Sequence, residues 1–147
     1  KLRFIGKGAY TLKHFCINNN VKNVELIDRF PPEKTLDYYY ETDVINNLYG
    51  NSTPLLDYAL SNKLYYAANL EIPILVCPNT FMEEISTKYG FGYTFDINDP
   101  KALDNLYNYY MSINWEQFSN NCKRFVNQVN RDNKKFSSKV RKFLEGI

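Results

Sequence analysis

Lys63 stands one residue inside a helix start that the sequence marks clearly, with Ser61 as the capping residue and Leu64, Ala67 and Ala68 at helical spacing behind it. A helix N-terminus carries partial positive charge, so a lysine in the first turn costs about 0.3–1 kcal/mol unless something offsets it. An anion would do so. Unpaired backbone N–H groups at Asn62 and the Lys63 ammonium together have the makings of a phosphate site; a solvated lysine tolerated at that cost is the alternative. Gly6 and Gly8, following the apolar stretch Leu2 to Ile5, could likewise let backbone amides approach a phosphate. The dinucleotide fingerprint would need a third glycine where Thr11 stands, although Asp28 lies about where its ribose-binding acid belongs, so a plain strand-to-helix turn explains the glycine pair equally well.

Other chemistry is thinly represented. His14 is the one histidine and has no Asp, Cys or second His near it in sequence, and Glu83-Glu84 reads as an acid pair favoured by a helix start. There is no Gly-x-Ser-x-Gly elbow and no Walker-type phosphate loop. Cys16, Cys77 and Cys122 are odd in number and in no metal-ligand spacing, which predicts reduced thiols and no metal site. The 13 tyrosines and 10 phenylalanines mostly fit core positions.

These residues need elements to hold them, and the elements alternate. Strands are predicted at Leu2–Ile5, Val24–Ile27, Asp43–Leu48, Ile74–Cys77 and, at an edge, Gly92–Ile97. Between them come helices over Thr11–Asn18, Glu33–Glu41, the Lys63 segment closing at Glu71-Ile72-Pro73, and Thr80–Tyr89 capped by Gly90. A helix begins at Asp99-Pro100, and the pattern is helical from Trp115 to the end. The stretch Tyr49–Leu60 is read as a loop. Parallel pairing needs crossovers, so the alternation predicts an α/β domain over 1–147 with a parallel sheet and helices on both faces. Ligands in such sheets gather beyond the carboxyl ends of the strands, where the Gly6-Gly8, Asp28-Pro32 and Tyr49–Leu60 loops and Lys63 all fall.

A chain of 147 residues with 44% hydrophobic content can bury one substantial core. Its net charge of +2, without a recognisable nucleic-acid motif, argues against a nucleic-acid partner. No apolar run reaches the roughly 18–20 residues of a membrane span, so a soluble cytoplasmic protein is expected. The basic cluster Lys134, Lys135, Lys139, Arg141 and Lys142 is either solvated surface or a contact for anionic lipid, which would make the protein peripheral to the membrane's cytoplasmic face.

The stretches LRFIGKGAY, VKNVELIDRFPPEKTLDYYYETDVINNLYG and, above all, YALSNKLYYAANLEIPILVCPNTFMEEISTKYGFGYTFD resemble the C-terminal, donor-binding half of a GT-B glycosyltransferase. The likeness is to the group 1 type that builds bacterial surface polysaccharides, and it spans almost the whole chain. It implies a Rossmann-like domain that transfers sugar from a nucleotide-sugar to a glycan or lipid-linked acceptor in polysaccharide biosynthesis, with no cofactor or metal. Gly6, Gly8, Asn62 and Lys63 would line the donor diphosphate, and the Arg29-Phe30-Pro31 loop would face the base. Two glutamates, eight positions apart, commonly serve the donor in that family; Tyr58 and Tyr66 stand there instead, and Glu71 replaces the usual glycine before Ile-Pro. The resemblance also implies that the chain starts at the domain's second strand and lacks the acceptor-binding N-terminal domain. No catalytic residue can be named on it, and the isolated chain would be inactive. A nucleotide-sugar epimerase of the same plan, or a non-catalytic, degenerate nucleotide-binding module, are the alternatives.

Overall fold

The computed structural model describes residues 1–146, which form two compact units, Lys1–Glu41 and the chain from Thr42 onward. In the first, β1 (Leu2–Ile5) pairs in parallel with β2 (Val24–Ile27), Leu2 opposite Val24 and Ile5 opposite Ile27. The crossover contains a 3-10 turn, Ala9–Leu12, and only then the short α1 (Lys13–Asn18), so the helix expected from Thr11 is split. Arg3 faces Glu25 across the ladder and reaches both its carboxylate and that of Glu41 at 3.0 Å. A hydrogen bond from Lys1, aided by the charge of Arg3, holds the Glu25 carboxyl below its usual range. A second 3-10 turn, Pro32–Lys34, leads into α2 (Thr35–Tyr40).

The larger unit holds β3 (Ile45–Asn47), β4 (Ile74–Val76) and β5 (Gly92–Thr94), all parallel, with β4 in the middle. Ile74 and Val76 on one face and Leu75 on the other are all buried, as a strand covered on both faces requires. All five expected strands are present and the fold is α/β. They lie in two open sheets, a pair and a triplet, because β1 and β3 share no hydrogen-bond ladder.

Local chemistry explains most of the helices. In α3 (Pro54–Tyr58), Thr53 Oγ1 caps the Leu56 N–H and Pro54 occupies the first turn; this helix lies inside the stretch expected to be loop. Ser61 Oγ accepts from the Lys63 N–H at the start of α4 (Asn62–Leu70), which ends at Glu71 in the left-handed region, φ 57°. Thr80 caps α5 (Phe81–Tyr89), and Gly90, φ 76°, closes it. A short α6 (Ala102–Met111) precedes α7 (Trp115–Glu145). Phe118, Cys122 and Phe125 of α7 are buried, and the Phe125 ring meets Tyr65, Tyr89 and Phe91 at 5.1–5.9 Å. From Asn130 to Gly146 every side chain is exposed. Among the described residues no helix is long and apolar enough to cross a membrane.

Candidate functional site

The larger unit brings its chemistry together where β3 and β4 end and α4 and α5 begin. Successive residues of a parallel strand alternate the direction of their main-chain groups, so Ile45 turns its N–H to the β4 side, bonding the Pro73 carbonyl, and Asn46 turns to the other. There the Asn46 oxygen accepts a 2.8 Å hydrogen bond from Lys63 Nζ. The same ammonium lies 4.9 Å from the centroid of the Tyr49 ring, within cation–π range. Lys63 is thus clamped on the open edge of β3. An ammonium has three donors, and Asn46 takes one of them. The Lys63 main-chain N–H is already held by Ser61 at 3.2 Å, so it is not open to an anion at this helix start.

Beside this clamp is a cavity of about 140 Å³ walled by Asn47, Tyr49, Gly50, Leu56, Ala59, Leu60, Ser61, Cys77, Thr80 and Met82. Its walls are tied by the Gly50 N–H donating to Cys77 Sγ at 3.3 Å and by Asn51 Nδ2 donating to the Pro78 carbonyl at 2.9 Å. Asn47 is 5% exposed, and its Oδ1 is buried with no hydrogen-bond partner. A buried acceptor left unpaired costs about 1–3 kcal/mol.

In the smaller unit the glycine loop follows β1 as expected, with Gly6 at φ 140° and Gly8 at φ 94°. Both amides are engaged: Gly6 N–H donates to the Ile27 carbonyl, and Gly8 N–H donates to Asp28 Oδ1 at 2.7 Å. Asp28 therefore ties the loop down from the end of β2. A side chain added at either glycine would meet nothing within 4 Å, so the loop face is open. Arg29 is exposed, while Phe30 is half-buried with its ring edge-on to Tyr38 at 5.0 Å.

Tyr58 ends α3, 76% exposed, in a separate open groove that it shares with Asp57, Glu83 and Glu84. Tyr66 is half-buried on α4, and its neighbour Tyr65 is the ring that packs on Phe125 of α7. Glu83 is occupied structurally, since its two oxygens accept from the Asn79 N–H and from Thr94 Oγ1, both at 2.7 Å. Burial pushes the Cys122 thiol up to about 12. Among the described residues no group of three or more His, Cys, Asp or Glu side chains is placed to hold a metal ion.

Asn46 and Asn47 were not singled out by sequence reasoning, Tyr49 entered only as the first residue of a predicted loop, and Cys77 only as a reduced thiol. The available signal was Asn47 itself, a polar residue two positions after Ile45 on the same face of a strand. No protein-family model, no curated protein and no solved structure matches the chain.

Proposed function

We propose that this chain is the donor-binding half of a GT-B glycosyltransferase, holding a nucleotide-sugar whose sugar passes to a glycan or lipid-linked acceptor on a domain outside residues 1–147. The observation that carries the reading is the Lys63 ammonium at the start of α4, fixed by the Asn46 carbonyl on the open edge of β3. Negative charge grows on the departing nucleoside diphosphate in the transition state, and a pre-positioned cation at a helix N-terminus stabilises that charge without reorganising. Within the larger unit, the Asn62 main chain at the start of α4 would contribute to the same diphosphate surface. Tyr58 and Tyr66, on the same unit, would serve the donor in place of carboxylates.

The degenerate-module reading draws on a different observation, the capture of the Gly8 and Lys63 amides by Asp28 and Ser61.

The basic tail fits a peripheral role at a cytoplasmic membrane face. Phe136, Val140, Phe143 and Leu144 recur at helical spacing on the exposed end of α7, among six basic and two acidic residues between 131 and 146. Such a stripe suits an anionic lipid surface.

Calorimetry with UDP, GDP and ADP, run beside a donor-consumption assay, tests the proposal. Binding of a nucleoside diphosphate without turnover is the expected result. Sugar transfer by residues 1–147 alone would show that the chain is not half an enzyme, and absence of all nucleotide binding would leave the module reading.

A further inference from the structure

Two helices of the larger unit carry apolar stripes that the unit itself leaves exposed. On α6, Leu103, Tyr107 and Met111 recur every four residues along one face and are each 64–73% exposed. On α7, Phe136, Val140 and Phe143 recur four and three residues apart and are also exposed, on the length of helix that runs past the buried Phe118, Cys122 and Phe125. The stripes match in length, about 12 Å and about 11 Å along their axes. Their charges are opposite. Asp104, seven positions before Met111 and so on the same side of α6, borders the first stripe, and residues 96–116 hold Asp96, Asp99, Asp104 and Glu116 against Lys101 alone. Lys139, three positions after Phe136 and four before Phe143, borders the second, among the six basic and two acidic residues between 131 and 146. One chain cannot bring its own two stripes together. Phe136 stands 21 residues beyond Trp115, about 32 Å along α7, whereas α6 is 10 residues and about 15 Å long and ends at Met111, just before that helix starts.

We propose that the α6 stripe of one copy of this chain receives the α7 end of a second copy, so that the protein self-associates through these two helices. An anionic lipid surface would cover the α7 stripe alone, and it would repel the acidic surroundings of the other. Pairing of two α7 ends would set one group of six basic residues against another. A second copy covers both kinds of stripe at once, apolar on apolar, with Asp104 and its acidic neighbours meeting Lys139 and its basic ones. Self-association and membrane contact then use the same face of α7 and exclude each other. The inference is independent of the nucleotide-sugar reading, since no residue of the Lys63 clamp takes part.

Sedimentation equilibrium of residues 1–147, from micromolar to submillimolar concentration, tests the proposal. A mass above the monomer that grows with concentration is expected. Tyr107→Lys on α6 and Phe143→Ser on α7 replace exposed side chains and leave the core alone, which circular dichroism checks. Each should weaken association about tenfold or more, the effect of losing one central apolar anchor. Mixing the two variants is the decisive step. The first keeps a native α7 end and the second a native α6 stripe, so the mixture should associate more tightly than either variant does by itself. A mixture no tighter than its components overturns the proposal. A monomer at every concentration also overturns it, including one that floats with phosphatidylserine vesicles, which would assign the α7 stripe to lipid. Association that survives either substitution overturns it as well; if only Tyr107→Lys leaves it intact, the α7 ends pair with each other.

Discussion

Lys63 Nζ donates to the main-chain oxygen of Asn46 at 2.8 Å and stands over the face of Tyr49. Both partners are neutral. Among the described residues Lys63 forms no ion pair, so its position is fixed while its charge is left unneutralised. A cation tied by a carboxylate would offer an anion much less. The dipole conflict at the start of α4 is thus borne by contacts that hold the ammonium in place without neutralising it.

Lys63→Ala should lower stability. Losing a hydrogen bond to a charged group costs about 1.5–3 kcal/mol, whereas relief of the dipole conflict returns about 0.3–1 kcal/mol, so a net loss of about 1–2 kcal/mol is expected. Urea unfolding of the two proteins without ligand measures it; an equal or higher midpoint for the variant would mean that the Asn46 bond contributes nothing.

Glu71→Gly should raise the melting temperature. Glu71 closes α4 at φ 57°, a conformation that glycine enters without a Cβ penalty, and the change gains about 0.5–1 kcal/mol. The loss is the ion pair with Lys123 at 3.6 Å, an exposed contact of about 0–0.5 kcal/mol. Thermal unfolding followed by circular dichroism separates the two effects, and a lower midpoint would show that the Lys123 contact outweighs the strain.

Stability should fall between about pH 9 and pH 12. Burial pushes the Cys122 thiol and the Tyr109 phenol each up to about 12 from ordinary values near 9 and 10. In that window the unfolded chain releases protons that the folded chain keeps, so the folded state binds more protons and loses ground as pH rises. Below pH 9 neither group contributes a slope. Cys122→Ala should flatten the lower part of the decline in chemical denaturation curves, and an unaltered slope would remove Cys122 from the account.

The order of strands and most helices was legible because their signals are local: Ser61 and Thr80 cap helices, Gly90 ends one, and Ile74–Val76 is an uninterrupted apolar run. The helix Pro54–Tyr58 carried such a signal in Thr53-Pro54 but is too short to show apolar periodicity. The division into two sheets was hidden, since nothing in a strand's own sequence says which neighbour it will lack. Lys63 was found as a charge in the wrong place on a helix. Its partners were not, because Asn46 contributes a main-chain oxygen, which every residue has, and Tyr49 a ring among 13 tyrosines. That Asp28 would fasten the Gly8 amide rather than leave it for a phosphate follows from loop geometry that spacing does not encode.

The central claim is that Lys63 meets the diphosphate of a nucleotide, and calorimetry of UDP, GDP and ADP with the parent chain and Lys63→Ala tests it most directly. The account predicts that at least one nucleotide binds and that Lys63→Ala weakens it by about 1.5–3 kcal/mol, the loss of one charge-assisted hydrogen bond. Binding of equal strength by the folded variant would contradict it.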